Sequence, residues 1–157
     1  MPNLLTKALQ EYNANHHQNI INRLAHFHLA FGHTHPFESG NGLIGRALLN
    51  YLLVREGFVP INLLGQDQPK YYEAFNQYNR TGATTLMEEL IGRSLTNSYH
   101  WALAHLEGQL TISLADYAKA HQTSHSNLIN KAKRQSIDAF LENGVWMIAA
   151  NSLISTV

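Results

Sequence analysis

The chain has no cysteine. That excludes a disulfide framework and any thiolate metal site, and it fits a cytoplasmic location, which is the expectation here. The chain also lacks an excess of either charge. Lys plus Arg and Asp plus Glu both number 11, for a formal net charge of +0 at pH 7. Such a balance gives no general attraction to nucleic acid or to acidic membranes. No apolar run is long enough to span a bilayer, and no basic stretch followed by an apolar one opens the chain, so no membrane partner is expected. Internal repeats and low-complexity tracts are missing as well. What is present is 157 residues, enough for one ordinary domain or two small ones, with a hydrophobic share of 45% that suffices for a buried core.

Hydrophobic spacing predicts a mostly α chain. Helices are expected over Leu4 to Asn13, Asn19 to Phe31, Leu43 to Arg55, Tyr71 to Asn79 and from about Thr84 to Leu106. Ile20, Leu24, Phe27 and Phe31 make one apolar stripe, and Leu86, Leu90, Ile91, Leu95, Tyr99, Ala102 and Leu106 another. Gly57, Gly82 and a loop over Leu64 to Pro69 punctuate the pattern. Glu107-Gly108-Gln109 ends the long helix and marks an expected boundary between residues 1–108 and 109–157.

The chemistry concentrates in His35-Pro36-Phe37-Glu38-Ser39-Gly40-Asn41-Gly42-Leu43-Ile44-Gly45-Arg46. Gly40 and Gly42 allow backbone conformations in which successive N–H groups converge on one point. The helix expected from Leu43 leaves its first amides unpaired, and its dipole favours negative charge there. Asn41 adds a neutral donor between the glycines. Arg46 supplies a planar fork suited to phosphate oxygens. His35 can be neutral near pH 7 and take a proton from an attacking hydroxyl. Pro36 and Phe37 read as a rigid anchor, with Phe37 turned toward the core. The bland alternative is a tight turn between helices with His35 as an ordinary polar residue.

The joint pattern resembles the signature of the Fic domain family, H-P-F-x-D/E-G-N-G-R-x-x-R. The resemblance implies a helical bundle and transfer of AMP from ATP, with Mg²⁺, to a Ser, Thr or Tyr hydroxyl of a target protein. It implies that His35 is the general base, that Gly40, Asn41 and Gly42 form the phosphate cradle, and that Arg46 contacts the terminal phosphate. Doc-type relatives transfer phosphate instead and carry lysine at the second glycine, which here is Gly42. Two positions depart from the signature. The family's metal-holding acid falls on Ser39, a weaker ligand for a hard cation, with Glu38 adjacent at the variable position. The first family arginine falls on Leu43, so one cationic clamp is gone. Both losses reduce the charge stabilisation that phosphoryl chemistry depends on, so a catalytically degenerate scaffold that binds nucleotide, partner or DNA is the alternative.

The flanks extend the resemblance. Gly57-Phe58-Val59-Pro60-Ile61 is similar to the family's short connection after the motif helix, and Tyr71 and Tyr72 fall where aromatic residues help shape the nucleotide-base pocket. Helix packing is the ordinary reading of at least one of these tyrosines. Met1 to Thr34 leave room for about two helices ahead of the motif, and no strand pair is evident for the family's target-aligning flap. Neither is the family's inhibitory helix evident, so an antitoxin-like partner is a candidate.

After Gly108 the pattern changes. Ser113 is an expected N-cap for a helix over Leu114 to His121. A turn at Gln122-Thr123-Ser124 leads to a second helix ending at Arg134, and Ile137 to Ile148 reads as two strands around Glu142-Asn143-Gly144. This layout resembles the excisionase- and MerR-like winged helix-turn-helix. The resemblance makes Ser124, Ser126, Asn127, Asn130, Lys131, Lys133 and Arg134 candidates for DNA contact. The alternatives are a solvated basic face or a protein-docking piece. Trp146 reads as the hydrophobic plug of this unit.

Ten histidines invite a metal interpretation. His26 and His28 are two apart on a helix and so diverge, and no H-E-x-x-H pattern is present, so no zinc site is expected. The resemblance places a packing histidine near His26. His33 is expected to line the site mouth or face water.

Overall fold

The computed structural model describes residues 2–63 and 68–152. The expected loop start, Leu64 to Asp67, therefore lies outside the described residues. The chain is mostly helical, with a small three-stranded sheet. It divides into two compact units, Met1–Ser94 and Leu95–Val157, and the division falls inside the long fifth helix.

The first unit holds α1 (Pro2–Ala14), α2 (Ile20–Thr34), α3 (Asn41–Arg55), α4 (Gln68–Thr81) and the start of α5 (Thr85–Leu106). α2 begins where the Asn19 side chain accepts from Ile21 N at 2.8 Å, the ordinary capping bond for an orphaned helix amide. Its buried face carries Leu24, Phe27, His28 and Phe31. α3 ends in a Schellman pair, Phe58 N to Leu53 O and Gly57 N to Val54 O, both 3.0 Å. The following segment is then tied back by Asn50, whose side chain accepts from Ile61 N at 2.7 Å and donates to Ile61 O at 3.0 Å.

Two glycines set how closely these helices approach. A Cβ on Gly45 of α3 would lie 3.1 Å from Phe31 Cδ1 and 3.3 Å from His28 Cε1, both on α2. A Cβ on Gly32 would overlap the Phe75 ring of α4. α1 is held by the buried Arg23, whose Nε donates to Tyr12 O at 3.2 Å while its guanidinium lies 4.3 Å from the Tyr12 ring centroid and 3.4 Å from Glu56. On α5, Met87, Leu90 and Ile91 are buried, whereas Leu106, placed on the expected apolar stripe, is 84% exposed. It stands in the helix's last turn, past the last buried residue, Ala104.

The second unit contains the rest of α5, α6 (Leu114–Ala120), α7 (His125–Lys133) and strands β1 (Thr111–Ser113), β2 (Phe140–Glu142) and β3 (Val145–Ala149) in the order β1-β3-β2, all antiparallel. Ser113 caps α6 by accepting from Asp116 N at 3.1 Å, and Ser124 caps α7 by accepting from Asn127 N at 3.4 Å. β2 and β3 are joined by Asn143-Gly144, with φ of 50° and 82°. Two successive left-handed residues make the turn whose twist matches a hairpin. Leu114, Tyr117, Leu128, Ala132 and Ile148 form the core, and Trp146 packs against it. β1 is an element that local pattern did not predict. Three residues carry almost no periodicity, and the strand exists through its pairing with β3, Thr111 opposite Ala149.

Candidate active site

The motif occupies the turn between α2 and α3, and its shape follows from three local bonds. His35 caps α2 in the left-handed conformation at φ 42°, which turns the chain out of the helix. Its Nδ1 sits 2.5 Å from Gly32 O. A carbonyl can only accept, so Nδ1 carries the proton and Nε2 of the neutral ring carries the lone pair. His35 is exposed. Gly40, at φ 75°, is the N-cap of α3, and the first intrahelical bond runs from Ile44 N to Gly40 O at 3.0 Å. The amides of Asn41, Gly42 and Leu43 thus precede the helix ladder and converge at its positive end.

Asn41 differs from expectation. Instead of presenting a free amide, its side chain accepts from Phe37 N at 3.0 Å and donates to Phe37 O at 2.7 Å. Both ends of the side chain are consumed in closing the loop, and the residue is buried. Its role is to shape the cradle, with only its main-chain N–H left to face an anion. Phe37 also departs from expectation. It is 47% exposed, because the clamp on its backbone holds it within the exposed stretch 37–40, with its ring at the edge of Phe31 at 6.5 Å between centroids.

α3 begins at Asn41, two residues earlier than the spacing suggests, so Arg46 lies on its second turn. Helical side chains lean toward the N-terminus. Arg46 accordingly folds back until Nη1 is 3.2 Å from where a Cβ on Gly42 would stand. Gly42 leaves that space open. Tyr71 is buried and Tyr72 is 56% exposed, with their rings 5.7 Å apart edge to face. The adjacent pair therefore splits into one packing residue and one surface residue. Burial pushes the Tyr71 hydroxyl above its usual range, opposed by the positive charge of Arg46.

His28 was not singled out by the sequence as a packing residue, although it lies on the Leu24–Phe31 stripe. It is 1% exposed, and burial lowers its pKa to about 4, with the Gly45 carbonyl opposing that shift and the Arg46 charge adding to it. His26, the position expected to pack, is half-buried, with its ring edge-on to Tyr78 at 6.1 Å between centroids and Nδ1 4.0 Å from Glu11. His33 hydrogen-bonds Asn79 at 2.8 Å.

A metal site does not assemble from these side chains. Glu38 and Ser39 are both exposed, and no group of three or more His, Asp or Glu side chains converges among the described residues. The donor set therefore does not fit a magnesium site built by the protein. On α7, Ser126, Asn127, Asn130, Lys133 and Arg134 are exposed, Ser124 is the exposed cap, and Lys131 is half-buried. No helix among the described residues is long and apolar enough to cross a membrane.

The turn between α2 and α3 thus carries, within one segment, the first amides of α3, the folded-back Arg46 and the exposed His35. The model of the Fic/DOC family matches residues 1–53, which take in the whole of the His35–Arg46 segment. The chain is 31% identical over 124 residues to the Protein adenylyltransferase Fic of Drosophila melanogaster, covering 77% of this chain and 25% of that relative. It is 45% identical over 56 residues to the Protein adenylyltransferase Fic of Nematostella vectensis, covering 36% of this chain and 13% of that relative. The chain thus spans a quarter or less of the length of the Drosophila relatives it matches, 25% for Drosophila melanogaster and 20% for Drosophila persimilis. No solved structure matches it.

Proposed function

We propose that this chain carries a Fic-type adenylyl-transfer site that moves AMP from ATP to a Ser, Thr or Tyr hydroxyl of another protein. The observation that supports it best is that Gly32 O holds His35 Nδ1 at the head of the turn that leads into the amides of Asn41 to Leu43. In the transfer, the target oxygen attacks the α-phosphorus, its proton passes to His35 Nε2, and the bond to the bridging oxygen breaks to release pyrophosphate. The amides at the start of α3 and the Arg46 guanidinium offset the charge that builds on the phosphate oxygens. Tyr72, exposed on α4, is the tyrosine available to the nucleotide base. Magnesium would travel with the triphosphate, and no step here runs through it.

Incubation with α-labelled and γ-labelled ATP, Mg²⁺ and a cell lysate tests this reading. Label from the α-position alone is expected, and it should vanish in His35→Ala. Transfer from the γ-position would replace the reading with Doc-type phosphate transfer, and transfer of neither would leave a degenerate scaffold. Leu43, 68% exposed at the start of α3, and the Ser39 hydroxyl favour this second reading. Leu43→Arg and Ser39→Asp are expected to raise the transfer rate if those two positions limit it.

For the second unit we propose a winged helix-turn-helix over residues 109–157, with α7 as the element presented to DNA and β2–β3 as the wing. Its support is the exposed polar face of α7 together with the antiparallel hairpin. A mobility shift with duplex DNA should weaken with salt and with Lys133→Ala and Arg134→Ala. A salt-insensitive null would point to protein docking, with an antitoxin-like partner among the candidates.

A further inference from the structure

Residues of α1, of α2 and of the turn that joins them line a cavity of about 360 Å³, a size that holds a small metabolite. None of its lining residues belongs to the His35–Arg46 segment, and the transfer chemistry above does not use it. Tyr12 and Phe27, both buried and with rings edge to face at 5.9 Å between centroids, give it an apolar side. Glu11, Asn15, Asn22 and Arg23 give it a polar one.

Arg23 is the buried charge of this wall, its side chain 5% exposed. The bonds that fasten it run from Nε to Tyr12 O at 3.2 Å and from Nη2 to His16 Nδ1 and to Glu56, each at 3.4 Å. They engage two of the three guanidinium nitrogens and leave over Nη1, which carries two N–H donors. Glu56 is shared with Arg55, 3.5 Å away, so this group of three keeps a net positive charge. The other polar residues offer acceptors. Asn15 Nδ2 donates to Glu11 O at 2.8 Å and Asn22 Nδ2 to Glu88 at 2.9 Å, which anchors each amide by its nitrogen and leaves its oxygen to accept. Glu11 adds a carboxylate, 41% exposed, whose pairs to Lys7 at 3.7 Å and His26 at 4.0 Å are long surface contacts of small worth.

The two charges together select a ligand. A sphere of this volume is about 9 Å across, close to the roughly 8 Å screening length at physiological salt, so a charge inside it feels both Arg23 and Glu11. A lone ammonium is repelled by Arg23 and a lone carboxylate by Glu11. A molecule that carries both groups is attracted by both residues. We propose that this cavity binds a small free amino acid, with the carboxylate on Arg23 Nη1 and the ammonium on Glu11 and the amide oxygens of Asn15 and Asn22. Tyr12 and Phe27 receive the carbon chain between them. Glu11 belongs to α1 and Arg23 to α2, so an occupied site ties the two helices together. The site stands whether or not the motif transfers AMP.

The test titrates the ¹⁵N-labelled full chain with glycine, β-alanine, 4-aminobutyrate and 6-aminohexanoate, which set the ammonium at increasing distance from the carboxylate. The signals to follow are the Arg23 Nε–H and the side-chain amides of Asn15 and Asn22. At least one length should shift them saturably. Propionate and propylamine, which carry one charge each, should bind roughly tenfold more weakly than that amino acid or worse. Glu11→Gln keeps the shape of the side chain and removes its charge. It should weaken the best amino acid roughly tenfold and leave propionate bound no more weakly than in the wild type. Absence of a shift with all four amino acids overturns the proposal. So does propionate binding as tightly as the best of them, which marks a plain anion site, or propylamine doing so, which marks a plain cation site. Equal amino-acid affinity in Glu11→Gln overturns it as well. The comparison with propionate and propylamine needs only the wild type, so it decides the matter even if Glu11→Gln does not fold.

Discussion

Asn41 shows how one side chain can determine a site without touching a ligand. Its two bonds to the Phe37 backbone close the loop that carries residues 37–40 past the start of α3. Asn41→Ala removes both of these part-buried bonds, for an expected loss of about 2 kcal/mol. Urea denaturation measures that loss, and the rise in melting temperature that ATP should give the wild type is expected to disappear with it. His28 makes a second prediction at this scale. Its pKa falls from the model-peptide 6.5 to about 4 on folding. Between those values the unfolded chain binds a proton that the native chain does not, so stability falls as pH drops. The contribution is complete above pH 6.5, declines toward pH 4 and is flat below that. It amounts to about 3 kcal/mol. Urea titrations at pH 7 and pH 4.5 should show a drop for the wild type that is smaller in His28→Gln.

At the scale of elements, the site depends on how closely α2 and α3 pack. Gly45 is the contact, and the atoms its Cβ would meet belong to Phe31 and His28, each 1% exposed and without room to retreat. Overpacking of this kind costs about 1–3 kcal/mol, against about 1 kcal/mol gained from alanine's helix propensity. Gly45→Ala should therefore destabilise by about 1 kcal/mol in chemical denaturation. It should also lengthen the His28 to Gly45 bond. Much of the local architecture is legible in sequence. The Asn19, Ser113 and Ser124 caps and the Asn143-Gly144 turn work through neighbours a few residues away. β1 is not legible, because its partner in β3 is 38 residues along the chain, Thr111 opposite Ala149.

For the molecule as a whole, charge balance is the controlling property. Equal numbers of acidic and basic residues leave no net repulsion between copies near neutrality, and the sequence pI is about 7.2. Solubility should accordingly be lowest close to pH 7 and rise toward pH 5.5, which precipitation by polyethylene glycol at the two values would check. The two compact units also differ in how they can be followed. Both tryptophans, Trp101 and Trp146, lie in Leu95–Val157, so indole fluorescence reports on that unit and ligand effects in Met1–Ser94 need another probe.

Sequence alone determined the helices, the turn that carries the motif and the residue types gathered in it, because glycine placement, capping side chains and apolar spacing act over a few residues. Tertiary structure alone decided what each of those residues does. It spent Asn41 on the Phe37 backbone, left Phe37 at the surface, split Tyr71 from Tyr72 and buried His28 between the Gly45 carbonyl and the Tyr71 hydroxyl. These outcomes depend on contacts between α2, α3 and α4, and a hydrogen bond across 43 residues, such as His28 to Tyr71, leaves no periodic trace in the chain.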